Sequence, residues 1–149
     1  MKKILFVCDG NTCRSPMAKA ILEQILSSKG LSDSVFVDSA ALGKTSLPTA
    51  HENARRVIKE LYRKDLLANH KPKSVEKVCL DDFDLILTMQ ERQKTMFPKN
   101  RTFTLKEYAG SKGDIADPWG PDLKIYRKCR DEIKRYLERV IERTKVVTG

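Results

Sequence analysis

"ILFVCDGNTCRSP", residues 4–16, sets a short apolar run against a tight polar turn and then a Ser-Pro pair. Ile4 to Val7 has the length and the abrupt end of a buried strand. The turn covers residues 8–15. Beyond it, "SPMAKAILEQILSSKG" (15–30) predicts a helix, with Ser15 as cap and Pro16 in the first turn. Ala18, Ile21, Leu22, Ile25 and Leu26 form its apolar stripe, and Gly30 stops it.

The rest of the chain repeats this alternation. "VFVDSA" (35–40) is a second strand, and "TAHENARRVIKELYRKDL" (49–66) a second helix with Thr49 and Glu52 spaced as a capping box. "FDLILTM" (83–89) and "TFTL" (102–105) are the third and fourth strands. A last helix is predicted over 122–145. Ile125, Tyr126, Cys129, Ile133, Leu137, Val140 and Ile141 recur there at helical spacing. Continuously apolar strands alternating with helices point to an α/β fold. The expectation is one three-layer domain over residues 1–149, a four-stranded parallel sheet with helices on both faces. Ligands of such sheets bind beyond the carboxyl ends of the strands, which is where the 8–15 turn falls.

Composition narrows the setting. The 149 residues are 40% apolar, enough for one core, and show no repeat or linker tract. The apolar run after Met1, Lys2 and Lys3 is too short for a signal peptide or a membrane span, so a cytoplasmic protein is expected, with no membrane partner. The four cysteines have no zinc spacing; Cys79 and Cys129 read as buried small side chains. No metal or other cofactor is expected. Lysine and arginine total 29 against 20 acids, a net charge of +9. That charge suits anionic partners, but most of it reads as a solvated surface. Without interleaved aromatics, nucleic acid is not an expected partner.

The turn has the parts of an oxyanion cradle. A helix start offers unpaired N–H groups and a partial positive charge. Gly10 permits a restricted or left-handed backbone, and Asn11 tolerates the same geometry while its amide locks the loop. Arg14 brings a planar fork that pairs with two phosphoryl oxygens. Cys8 lies at the base, where surroundings that hold phosphate also favour the thiolate. A thiolate facing phosphorus is a nucleophile. Its leaving group needs a proton, for which Asp117 in "DIADPWG" is a candidate. Pro118 stiffens that segment, Trp119 offers an aromatic wall, and Gly113 and Gly120 bracket it. Taken alone, Asp117 reads more readily as the residue of an Asx-type turn before the last helix. Cys13 either packs beneath the loop or forms a protective bridge to Cys8 on oxidation.

The pairing of "VCDGNTCRSP" with the distant "DPWG" resembles the low-molecular-weight protein tyrosine phosphatase family. "DSA", His70, "FDLILTM" and the long final helix extend the resemblance over essentially the whole chain. The resemblance implies Cys8 as nucleophile, Arg14 as phosphoryl binder and Asp117 as general acid and then base. It implies that Asn11, Ser15, Ser39 and His70 form a hydrogen-bond network around the loop. Without the family, Ser39 and His70 read as structural polar residues. Two departures fall on supporting loops: Ser39-Ala40-Ala41 where the family has Ser-Ala-Gly, and Lys71-Pro72-Lys73 after the histidine. A third is Trp119-Gly120 in place of an aromatic pair.

The implied activity is removal of phosphoryl groups from phosphorylated proteins through a phosphocysteine intermediate. Thr12 shapes the substrate expectation. "GNTCRSP" and "FTLKEY" resemble the bacterial protein arginine phosphatases within the family, whereas phosphotyrosine enzymes carry a larger aliphatic residue at the Thr12 position. A guanidinium brings N–H donors that need partners, and Thr12 offers a hydroxyl. Asp9 is a second carboxylate available to that group, or it faces solvent. Protein tyrosine phosphatase is the alternative. A thiol-dependent arsenate reductase would need two relay cysteines near the third strand, where only Cys79 lies. A non-catalytic phosphoprotein-binding module would not need nucleophile, arginine and acid together.

Overall fold

The structure is a computed structural model that describes residues 1–144. Its sheet has four parallel strands in the order β2-β1-β3-β4: β1 (Lys2–Cys8), β2 (Val35–Ala41), β3 (Leu85–Thr88) and β4 (Thr102–Thr104). Among the described residues four α-helices accompany it: α1 (Arg14–Ser28), α2 (Glu52–Tyr62), α3 (Leu105–Tyr108) and α4 (Leu123–Thr144). Lys145, the end of the predicted last helix, lies outside the described residues. The chain leaves β1 for β2 on one side, while β3 lies on the other. The carboxyl end of β1 is therefore the point where the strand order reverses, with Cys8 opposite Ala41 and Val7 opposite Thr88.

Alternation along β1 divides the core. Ile4, Phe6 and Cys8 pack with Met17, Ile21 and Leu22 of α1, Val57 and Ile58 of α2, and Ile133 and Leu137 of α4. Leu5 and Val7 point the other way, into a smaller cluster with Val75, Phe83, Ile86 and Phe97. Both faces are covered as expected, but unequally. The α-helices share one face, and short 3₁₀ helices (Val75–Lys77, Leu80–Asp82, Glu91–Met96) flank the other.

Several local expectations change. Ser15 does not cap α1: the helix begins at Arg14, Cys13 stands at its cap position, and the Ser15 hydroxyl is used elsewhere. Thr49 and Glu52 form no capping box. His51 caps α2, its Nδ1 accepting the Asn53 N–H at 3.0 Å, because the His51 N–H is itself fixed to the Thr12 carbonyl at 2.9 Å. α2 ends at Tyr62, with Arg63 left-handed. Leu105 starts α3 rather than ending the fourth strand, because Thr104 and Glu107 form a reciprocal capping box. Ile125 stands exposed, outside the stripe that buries Tyr126, Cys129, Ile133, Leu137, Val140 and Ile141. Cys79 is exposed, since it precedes a 3₁₀ helix at the surface; Cys129 is buried. The Gly30 stop of α1 holds, with φ +70° and the Leu31 N–H returning to the Leu26 carbonyl at 2.8 Å.

Candidate active site

The 8–15 turn wraps around the Cys8 sulfur. The Ser15 N–H, in the first turn of α1, points at Sγ from 3.4 Å, and the Ser15 hydroxyl lies 2.9 Å from it. A helix start is thus aimed at the sulfur. Left-handed backbone falls at Asn11 (φ +56°) and not at Gly10. A side chain at Gly10 would meet nothing closer than the Thr12 hydroxyl at 3.6 Å. Asn11 carries the turn because its amide offsets the strain. Its Nδ2 donates to Ser15 Oγ (2.8 Å) and Ser39 Oγ (3.0 Å), and its Oδ1 accepts the Lys73 N–H (3.1 Å). Its carbonyl takes His70 Nε2 at 2.8 Å. Asn11, Ser15, Ser39 and His70 therefore meet as one buried network. His70 titrates below its ordinary value: burial lowers it, and the nearby Lys19 and Lys73 charges add to that.

The two unusual supporting loops are joined to this network. The Ala41 N–H donates to the Lys73 carbonyl at 2.7 Å, and the Leu42 N–H to the Cys8 carbonyl at 2.8 Å. Lys73 Nζ also pairs with Asp38 at 2.7 Å. Pro72 lacks an N–H, so Lys73 supplies the one that Asn11 takes.

Arg14 is 2% exposed. Its Nη1 donates to Gln90 Oε1 (2.7 Å) and to the Ile115 carbonyl (2.8 Å), and its Nη2 lies 3.6 Å from Asp9 Oδ2. Ile115 in turn donates its N–H to the Met89 carbonyl at 2.8 Å. The segment carrying Asp117 is therefore tied both to the residue that follows β3 and to the loop arginine. Asp117 itself is exposed, Pro118 is buried, and Trp119 projects into solvent at 79% exposure. Gly113 (φ +111°) and Gly120 (φ +106°) bound this stretch with backbone that other residues rarely adopt.

Thr12 is half-buried, its carbonyl held by the His51 N–H and its hydroxyl 3.8 Å from Cys13 Sγ. Cys13 is buried, 4.0 Å from the Tyr126 hydroxyl, and burial pushes its thiol up to about 11. The His51 ring stacks on Tyr126 at 5.2 Å.

Sequence reasoning passed over Gln90, Arg92, Gln93 and His51. Asp9 donates nothing; it accepts from Arg92 Nη2 at 2.5 Å and from Gln93 Nε2 at 2.9 Å. Burial pushes the Asp9 carboxyl up, but the bonds from Arg92 and Gln93 and the charges of Arg92 and Arg14 outweigh it and hold it below the usual value. Gln93 is fully buried, its Oε1 accepting the Met89 and Gln90 N–H groups. The available signal was position: "QERQ" follows the third strand at the same end of the sheet as the cysteine turn.

A cysteine beneath a helix start, an arginine on the same turn and an aspartate segment tied to that arginine are the groups that a cysteine-dependent phosphoryl transfer requires. The low molecular weight phosphotyrosine protein phosphatase family profile matches residues 3–147. The chain belongs to this family of cysteine-dependent protein phosphatases. It is 40% identical over 148 residues to a protein-arginine-phosphatase of Geobacillus stearothermophilus, covering 95% of each chain. Among solved structures it is similar to a low molecular weight protein tyrosine phosphatase from T. tengcongensis (TM-score 0.87, 32% identity, 95% of this chain and 99% of that one). It is also similar to a cysteine-to-serine variant of the YwlE arginine phosphatase with a phosphorylated active-site serine (TM-score 0.86, 34% identity, 96% of this chain and 95% of that one). No helix among the described residues is long and apolar enough to cross a membrane.

Proposed function

We propose that this protein removes the phosphoryl group from phosphoarginine in proteins. Cys8 Sγ attacks phosphorus and forms a phosphocysteine, while the N–P bond to the guanidinium breaks. Asp117 protonates the departing nitrogen, then takes a proton from the water that hydrolyses the S–P bond. Because Nη1 of Arg14 is used by Gln90 and Ile115, the Nε–Nη2 edge is the one that pairs with two phosphoryl oxygens. Asn11, Ser15, Ser39 and His70 hold the loop in shape. Trp119, projecting beside Asp117, is a contact for the substrate chain.

The observation that carries the arginine assignment is Thr12, half-buried and fixed by His51 in the loop around Cys8, a hydroxyl-bearing residue at a position where an apolar side chain would suit a phenyl ring. The 40% identity to a named arginine phosphatase supports it. Phosphotyrosine remains the second reading, favoured by the similarity to a protein tyrosine phosphatase over 95% of this chain. Thr12→Ile separates the two. It is expected to lower kcat/KM on phosphoarginine peptides by about tenfold or more, the cost of an unpaired donor, with little loss on phosphotyrosine peptides. Wild-type preference for phosphotyrosine, with equal effects of the substitution on both, would leave the tyrosine reading standing. Cys8→Ser serves as the zero-turnover control.

A further inference from the structure

The turn that receives a phosphoryl dianion carries a carboxylate next to its nucleophile. Asp9 follows Cys8 directly, and its Oδ2 stands 3.6 Å from Nη2 of Arg14. Nη2 belongs to the edge of Arg14 that is left for the phosphoryl oxygens once Nη1 is committed to Gln90 and Ile115. Left to itself, Asp9 would repel the incoming anion and compete with it for Arg14.

Arg92 stands against that carboxylate. Its Nη2 lies 2.5 Å from Asp9 Oδ2, much nearer than Arg14 does, and also 3.2 Å from Gln90 Oε1. Gln93 Nε2 holds the other Asp9 oxygen and reaches the same Gln90 oxygen at 3.3 Å. One amide oxygen, Gln90 Oε1, thus receives Arg14, Arg92 and Gln93 together. The Glu91–Met96 3₁₀ helix that follows β3 is clamped onto the cysteine turn through Asp9. Arg92 is 58% exposed and Asp9 42%, so the pair sits at the rim, whereas Arg14 is buried.

We propose that Arg92 is a positioning residue for the phosphate site: it neutralises Asp9 and so keeps Arg14 committed to the phosphoryl group. This rests on the phosphatase reading above and deepens it. Arg92 touches no reacting atom and acts through Asp9. Gln93 fixes the carboxylate so that one oxygen faces Arg92.

Inhibition by inorganic phosphate of the turnover of p-nitrophenyl phosphate tests this, because it reads anion binding whatever the natural leaving group. Arg92→Ala is expected to raise the inhibition constant and KM about tenfold, with a much smaller change in kcat. Arg92→Lys keeps the charge and is expected to lie near wild type. Asp9→Asn removes the carboxylate, so Asp9→Asn/Arg92→Ala is expected to recover phosphate affinity that the single Arg92→Ala variant lost. An unchanged inhibition constant in Arg92→Ala, or a double variant as weak as that single one, overturns the proposal. Failure of the underlying activity shows separately, as wild-type protein that turns over no phosphate ester or phosphoarginine at all.

Discussion

Arg14 Nη1 donates to the Ile115 carbonyl at 2.8 Å, so the loop arginine and the segment carrying Asp117 are joined by one buried hydrogen bond. Asp117 lies two residues beyond that anchor, exposed, with buried Pro118 next to it. The carboxylate is thus free to reach a substrate while its backbone is held on both sides. Asp117→Asn should leave the loop in place, since neither anchor involves the Asp117 side chain. If the residue supplies the proton, the loss depends on the leaving group. On phosphoarginine peptides kcat should fall roughly 10²- to 10³-fold, and on p-nitrophenyl phosphate by about tenfold or less. Steady-state rates on the two substrates check this; equal losses would make Asp117 structural.

The same bond shows why part of the site was legible and part was not. Cys8, Arg14 and Asn11 lie within seven residues of one another, and their types announce the chemistry. Ser39 and His70 could be placed only through the family resemblance, because a buried serine or histidine is structural as often as not. Arg92 and Gln93 could not be read as partners of Asp9, nor Gln90 as a partner of Arg14, because each pair is separated by more than seventy residues. Gly10 and Asn11 were both read as able to make the turn. Asn11 is the one that does, since three bonds from its amide outweigh the cost of left-handed backbone. The capping box expected at Thr49 lost to a tertiary contact, the bond between His51 and Thr12, which no local rule contains. The sheet itself was legible because its two central strands carry short continuous apolar runs, Ile4 to Val7 and Leu85 to Leu87, set between helical patterns. The short 3₁₀ helices on its second face were not, because they have too few residues to show a period.

His70 gives a pH dependence of stability with a definite sign. Its folded value lies below the ordinary 6.5, first because it is buried and then because Lys19 and Lys73 are near, while the Asn11 carbonyl and Asp38 only partly oppose this. As pH falls below about 6.5 the unfolded chain binds a proton that the folded chain resists. Stability from this group is therefore complete above about pH 6.5 and is lost progressively as pH falls towards the folded value. His70→Gln lacks that titration. Urea denaturation between pH 5 and 8 should show wild type losing more stability on acidification than the variant does. Parallel curves for the two proteins would remove His70 as the source.

Oxidation tests the relation between the two loop thiols. Peroxide converts the Cys8 thiolate to a sulfenic acid, and the Cys13 thiolate then displaces hydroxide to form the S–S bond. Burial pushes the Cys13 thiol up to about 11, so at neutral pH little of it is thiolate. Bridging is therefore expected to be slow near pH 7 and to quicken by up to about tenfold per unit as pH rises towards 9, because the attacking fraction grows. Further oxidation of Cys8 to the sulfinic acid competes with it, so the ratio of bridge to sulfinate should rise with pH. Cys13→Ser should give sulfinate at every pH and lose recovery of activity by a reducing agent. Mass spectrometry after brief peroxide exposure at pH 7, 8 and 9 reads both products. Sulfinate alone in wild-type protein, with no Cys8–Cys13 bridge at any of the three, would leave Cys13 as a packing residue beside Tyr126.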